Sequence, residues 1–210
     1  MDNLIYILFV AIFVPIMLMA CLVEKKARQP IVFVLIGIFL SVFASDINAY
    51  LRNILPMTSF EVTIIVTPVS EEILKALPIL FFATVLVPKK EALFTASMAV
   101  GIGFAVLENA FYMLTSNSFN MFDAIIRAFG AGLMHGMCTL LVGVGILFVR
   151  KKQKLFVVGT FAMLSTAITY HGIYNMLVQS DFHIFGYLLP ITTYIPFLVW
   201  RIKKIRQKNA

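Results

Sequence analysis

Charge is what this 210-residue chain has least of: Asp, Glu, Lys and Arg make up 13% of it and hydrophobic residues 61%, against about 25% and 45–50% in ordinary soluble domains. That balance excludes a soluble globular protein. Cysteine is nearly absent, and Cys21 and Cys138 both lie in apolar runs, which leaves no disulfide framework and no CxxC metal or redox motif. Acidic residues number 10 against 17 basic ones. In a soluble chain such an excess suggests nucleic acid; in one this apolar it reads as topogenic charge at a membrane surface, and no nucleic-acid partner is expected. The first apolar run follows Asp2 and Asn3 without a basic flank or an evident small-residue cleavage site, so a retained first span is expected.

What the chain does have is length of apolar sequence. Seven segments can be drawn, Leu4–Val23, Ile31–Leu51, Val62–Val87, Ala92–Thr115, Ala124–Val149, Leu155–Val178 and Ile184–Trp200. A spanning helix needs about 20 apolar residues, and none of the segments shows the polar–apolar alternation of a membrane barrel. The expectation is an all-α, polytopic membrane helix bundle of seven transmembrane helices, with residues 1–210 forming one domain and a motif-bearing core at 62–178. The last segment, with Pro190 and Pro196, is the shortest.

Sidedness follows from the basic residues, because cytoplasmic connections carry the excess. Three lie in Glu24–Pro30, two in Pro88–Glu91, four in Arg150–Lys154 and five after Trp200, while the opposite connections hold only Arg52. The N-terminus is therefore expected outside and the C-terminus in the cytoplasm, in a multi-pass protein of the cell membrane with the lipid bilayer as its surroundings.

The few charges within the spans are the informative ones. Ser70-Glu71-Glu72-Ile73-Leu74-Lys75 places three ionisable groups in one segment, which facing lipid would cost roughly 8–10 kcal/mol together. They must face protein or a water-filled cavity. Glu71 and Lys75 are one helical turn apart and Glu72 points about a quarter-turn away, so one carboxylate can pair with Lys75 while the other turns to a neighbouring helix. Thr67-Pro68 leaves two placements open: a helix that starts there, or one that runs through.

The fourth segment carries Phe104-x-x-x-Glu108-Asn109, the fifth His135-x-x-x-Thr139 and the sixth His171-x-x-x-Asn175. Counted from the outer ends, these groups and the Glu pair lie about 7 to 12 residues in, or roughly 10–18 Å at 1.5 Å per residue. Four helices thus bring acids and imidazoles to similar depth, and Gly101, Gly103, Gly130, Gly132, Gly136 and Gly172 offer close helix approach. Asp46, Asn48 and Arg127, near outer helix ends, are read as capping or snorkelling groups.

Three acids and two histidines in a partly dehydrated site suit general acid–base activation of water. Other chemistries lack their residues. There is no HExxH and no GxSxG, and Gly101-Ile102-Gly103-Phe104 lacks the acid of the GxGD of intramembrane aspartyl proteases.

These four motifs, in this order on successive segments, resemble those of the PrsW family of bacterial intramembrane proteases, itself similar to the CAAX-prenyl endopeptidases and bacteriocin-processing enzymes. The resemblance covers Ser70 to Asn175. It implies an endopeptidase of glutamate or metal-dependent type that cuts a membrane-anchored protein, an anti-sigma factor or a peptide, near the external face. It further implies Glu71 as the water-activating base, Glu72 as supporting acid or partner of Lys75, and Glu108 as a second water-holding group. His171 with Asn175 would stabilise the oxyanion, and His135 would complete the site; Lys75, Phe104 and Asn109 support it. Thr139 departs from the small residue common there and is given no catalytic role. No cofactor is certain: a divalent metal such as zinc on Glu71 or Glu72, Glu108, His135 and His171 is one option, and a metal-free mechanism, which the prenyl endopeptidases favour, is the other. Two different functions stay open beside this one, a proton- or ion-coupled carrier and a non-catalytic scaffold.

Overall fold

A computed structural model describes residues 4–115, 121–151 and 156–209, and within them all regular structure is helical. Seven helices follow the seven apolar segments. They are α1 (Leu4–Leu22), α2 (Lys25–Ile54), a third assembled from Ser59–Glu61, Val62–Val66, Thr67–Phe81 and Phe82–Leu86 and called α3, α4 (Lys90–Thr115), α5 (Met121–Lys151), α6 (Phe156–Val178) and α7 (His183–Asn209). Helices satisfy their own backbone polar groups, the condition for crossing lipid. Among the described residues four stretches are long and apolar enough to cross on length and composition: Leu4–Leu22, Ala27–Ile54, Lys90–Thr115 and Met121–Leu147.

The helix ends depart from the hydropathy edges for local reasons. α2 begins at Lys25 and runs through Pro30, since basic side chains can form helix above the apolar boundary. α3 opens on a capping box in which Thr58 Oγ1 accepts from the Glu61 N–H at 3.2 Å and Glu61 Oε2 accepts from the Thr58 N–H at 2.8 Å. That backbone N–H holds the exposed Glu61 carboxyl below its ordinary range. The choice left open at Thr67-Pro68 resolves in favour of a continuous helix, with the turn before Pro68 widened into a π-helix over Val62–Val66.

That widening has a cause and a use. Pro68 has no N–H, and the Thr67 N–H donates to the Val62 carbonyl five residues back, which leaves the Thr63 carbonyl without a partner in its own helix. Asn175 on α6 fills it, donating Nδ2 to Thr63 O at 3.0 Å. A polar side chain thereby ties α6 to α3 where the α-helical ladder cannot continue.

α3 is the inner helix of the site, touching α2, α4, α5 and α6, while α1 lies outside on α2 and α4. The core runs through Ile79, Phe82, Leu93, Val100, Met134, Cys138, Val142, Ile146 and Ala167. At Gly101 the α4 backbone lies directly on the His135 carbonyl of α5, and a Cβ there would collide with it. This approach brings the acid of α4 beside the imidazole of α5.

Candidate active site

Glu71, Glu72, Lys75, His135 and His171 are all buried, at 0–5% exposure. Isolated charges at such depth would be costly, and this burial is tolerated only where each group has a counterpart. Lys75 Nζ donates to Glu72 Oε1 at 2.6 Å. The pairing is thus between i and i+3, and it leaves Glu71 free to turn towards α2, where Asn48 Nδ2 donates to its Oε1 at 3.1 Å. Asn48 is held in turn by Ser70, whose hydroxyl donates to Asn48 Oδ1 at 2.5 Å. Lys75 also lies over the Phe104 ring, 4.5 Å from its centroid, a cation–π contact in a dry setting.

The two imidazoles are oriented by opposite neighbours, and their tautomers follow from those neighbours. His171 Nδ1 sits 2.8 Å from Glu72 Oε1. A carboxylate only accepts, so Nδ1 carries a proton, and Nε2 faces Glu71 Oε2, 3.8 Å away. His135 Nδ1 sits 2.8 Å from Lys75 Nζ. An ammonium only donates, so this Nδ1 accepts, and the ring proton is on Nε2, 2.5 Å from Glu108 Oε2. That last contact is close but misaligned, for neither atom completes a hydrogen bond.

Glu108 lies at the edge of the cluster with a third of its side chain exposed, and Arg127 Nη2 of α5 is 3.6 Å from its Oε1. Arg127 is itself buried and stacks on Tyr112, 3.7 Å from the ring centroid. Five helices therefore contribute to one charge chain running from Asn48 and Glu71 through His171, Glu72, Lys75 and His135 to Glu108 and Arg127. Three acids, Glu71, Glu72 and Glu108, thus share two strong bases, Lys75 and Arg127.

The small cleft of about 60 Å³ beside this chain is lined by Ile5, Ser41, Ser45, Glu71, Phe104, Glu108 and Phe111. Of the three acids only Glu71 and Glu108 reach it. Asn175, on the Thr63 carbonyl, stands behind the cluster as a brace. Thr139 donates back to the His135 carbonyl at 3.0 Å, and Asn109 is buried with Oδ1 unpartnered. Asn48 and Arg127 are members read from the sequence as capping or snorkelling groups. Each lies in register with the cluster, but polar residues near helix ends are so often capping or snorkelling groups that position alone did not raise them.

The donors fit a cation. Glu71, His135 and His171 each place a ligating atom within 4.8 Å of the other two, and Glu71 Oε2, Glu72 Oε2, Glu108 Oε2 and His135 Nε2 are buried without a hydrogen-bond partner. Carboxylate and imidazole are the ligand types of catalytic zinc sites. Glu72, expected among the ligands, instead has Oε1 occupied by Lys75 and His171 and supports the imidazole from behind, as second carboxylates commonly do.

The family model that matches, over residues 25–201, is described as PrsW family intramembrane metalloprotease. The chain belongs to the PrsW family. No curated protein and no solved structure matches it. Membership makes it a membrane-embedded peptidase acting on a membrane protein, and places α2 to α6 and most of α7 in the shared part of the fold.

Proposed function

We propose that this PrsW protein is a metal-assisted endopeptidase that cuts a membrane-anchored protein at the cleft between Glu71 and Glu108, nearer the external face as the basic-residue sidedness supports. The bilayer is that of a bacterial plasma membrane, and an anti-sigma factor is the substrate the family resemblance favours. The observation that carries the reading is the convergence of Glu71, His135 and His171 to within ligating reach beside a second cleft-lining carboxylate.

In this reading Glu71, His135 and His171 hold a divalent cation such as zinc, which when bound acidifies water and polarises a carbonyl. Glu72 fixes His171 with Nε2 forward. Arg127 lies against Oε1 of Glu108, so that Oε2 is the atom that takes the proton from water as its oxygen bonds to the scissile carbonyl carbon. Glu108 returns that proton to the amide nitrogen as the C–N bond breaks, giving an amine and a carboxylic acid, whose remaining proton passes to the amine to leave an ammonium and a carboxylate. The buried Phe104 and partly buried Phe111 give the cleft apolar walls, and positioned groups are stronger there than in solvent.

A second reading is favoured by one contact. The Lys75 ammonium on His135 Nδ1 puts the ring proton on Nε2, where it closes that atom to a metal. In that state Glu71, the acid without a cation partner of its own, is the base of a metal-free hydrolysis. Purified protein assayed against a fluorogenic single-span substrate in liposomes separates the two. Stoichiometric metal whose chelation abolishes cleavage supports the first; full activity in metal-free protein supports the second. Cleavage retained in both Glu71→Gln and His171→Ala would remove both readings, and Glu71-dependent ion flux without cleavage would make the protein a carrier.

A further inference from the structure

α1 stands apart from the other helices in three ways. It lies outside the family match, which begins at residue 25. It is the least buried of the four apolar helices, at 11% of its window, with only Ile5 and Ala20 buried. Yet Ile5 lines the cleft that holds Glu71 and Glu108.

The surface beneath it is closely packed. Gly37 of α2 and Gly103 of α4 let the two backbones touch, since a Cβ at Gly37 would strike the Val100 carbonyl and one at Gly103 the Val34 carbonyl. Close glycine contacts of this kind are the strong form of helix association in lipid. The joined helices present a shallow groove of Val34, Ile38 and Val42 from α2 with Leu107 and Phe111 from α4. α1 lays Ile5, Leu8, Phe9, Ile12, Phe13 and Ile16 into it, a helical stripe at spacings of three and four.

What holds α1 there is weak in a bilayer, where apolar packing competes with equally apolar lipid. Among the described residues one side-chain hydrogen bond fastens its N-terminal half, from the Tyr6 hydroxyl to Asp46 Oδ1 at 2.8 Å and exposed, while Arg28 Nε of α2 holds its other end by donating to the Ala20 carbonyl at 3.0 Å. A second apolar helix with the same spacing would find the same groove.

We propose that α1 is a displaceable wall, and that the membrane-spanning helix of the substrate reaches Glu71 and Glu108 by replacing the N-terminal half of α1 against α2 and α4. The inference rests on the peptidase reading above. The partner it specifies is a single-span segment with aliphatic or aromatic side chains at i, i+3 or i+4 and i+7. Tyr6 and Asp46 form the latch.

The test uses the full chain in liposomes with Cys21→Ser, which removes the exposed thiol and leaves the buried Cys138. Ser45→Cys then reports opening of the cleft through its rate of reaction with N-ethylmaleimide, and Tyr6→Phe in that background should raise the rate about three- to tenfold, the effect of one lost hydrogen bond. The probe for the groove is a synthetic peptide of the Leu4–Leu22 sequence with flanking lysines and a photoreactive residue in place of Phe9. It should crosslink to α2 between Val34 and Val42, and more strongly in Tyr6→Phe. An unchanged labelling rate, or crosslinks confined to other helices, overturns the proposal. Cleavage is followed in the same preparations: if Glu71→Gln abolishes it while labelling and crosslinking fail, the gate is wrong and the peptidase stands. If cleavage survives both Glu71→Gln and His171→Ala, the peptidase reading fails independently of the gate.

Discussion

Glu72 Oε1 receives two donors at once, Lys75 Nζ at 2.6 Å and His171 Nδ1 at 2.8 Å. One buried oxygen thus neutralises a lysine from its own helix and sets the tautomer of a histidine on another. Removing its charge affects both. Breaking a buried pair from one side costs about 3–5 kcal/mol, so Glu72→Gln should lower thermal stability in detergent and activity together. Combined with Lys75→Met, which removes the stranded ammonium, stability should return towards wild type while activity does not. Thermal unfolding and cleavage assays on the single and double variants read the two effects separately.

Asn48 tests positioning without a charge change. Its amide is the donor to Glu71 Oε1, and Ser70 keeps a bond to the Thr67 carbonyl at 2.9 Å when Asn48 is gone. A hydrogen bond to a charged group is worth about 1.5–3 kcal/mol. Expressed on the transition state, that is a fall of about ten- to a hundredfold in kcat for Asn48→Ala, with KM and the unfolding temperature close to wild type.

Gly101 sets the distance between α4 and α5 at the site. A methyl there meets the His135 carbonyl and the Gly136 backbone, neither of which can rotate away. Overpacking of this kind costs about 1–3 kcal/mol, and Gly101→Ala should lose both stability and cleavage as His135 shifts from Glu108. Gly132→Ala is the matched control, since a Cβ there meets nothing within 4 Å; it should leave both measurements unchanged.

Much of the fold was legible because span length is a strong signal: the seven drawn segments correspond to seven helices. The site was legible for the same reason that it is costly. Glu71, Glu72, Glu108, His135 and His171 have no cause to lie in apolar helices except each other. Which acid pairs with Lys75 was not legible, since spacings of three and four both reach one helix face, and the choice is made by Asn48 on another helix. The π-helix over Val62–Val66 was hidden too: Pro68 announces a missing N–H but not which helix supplies the substitute. Arg127 was misread as a snorkelling group, because the tyrosine beneath it and the acid beside it are contributed by α4.

Metal content provides the last prediction and separates ligands from supporting groups. If Glu71, His135 and His171 are the ligands, Glu71→Gln, His135→Ala and His171→Ala each lose stoichiometric metal by elemental analysis. Glu72→Gln, which removes only the support behind His171, should weaken binding about ten- to a hundredfold and so retain metal when it is supplied in excess. Glu108→Gln should keep its metal without excess and still fail to cleave, because what it lacks is the proton acceptor facing the cleft. Binding of metal also requires the Lys75 ammonium to withdraw from His135 Nδ1, so Lys75→Met should bind metal at least as tightly as wild type. Metal retained by His171→Ala, or lost by Glu108→Gln, would exchange the roles of the two groups of residues.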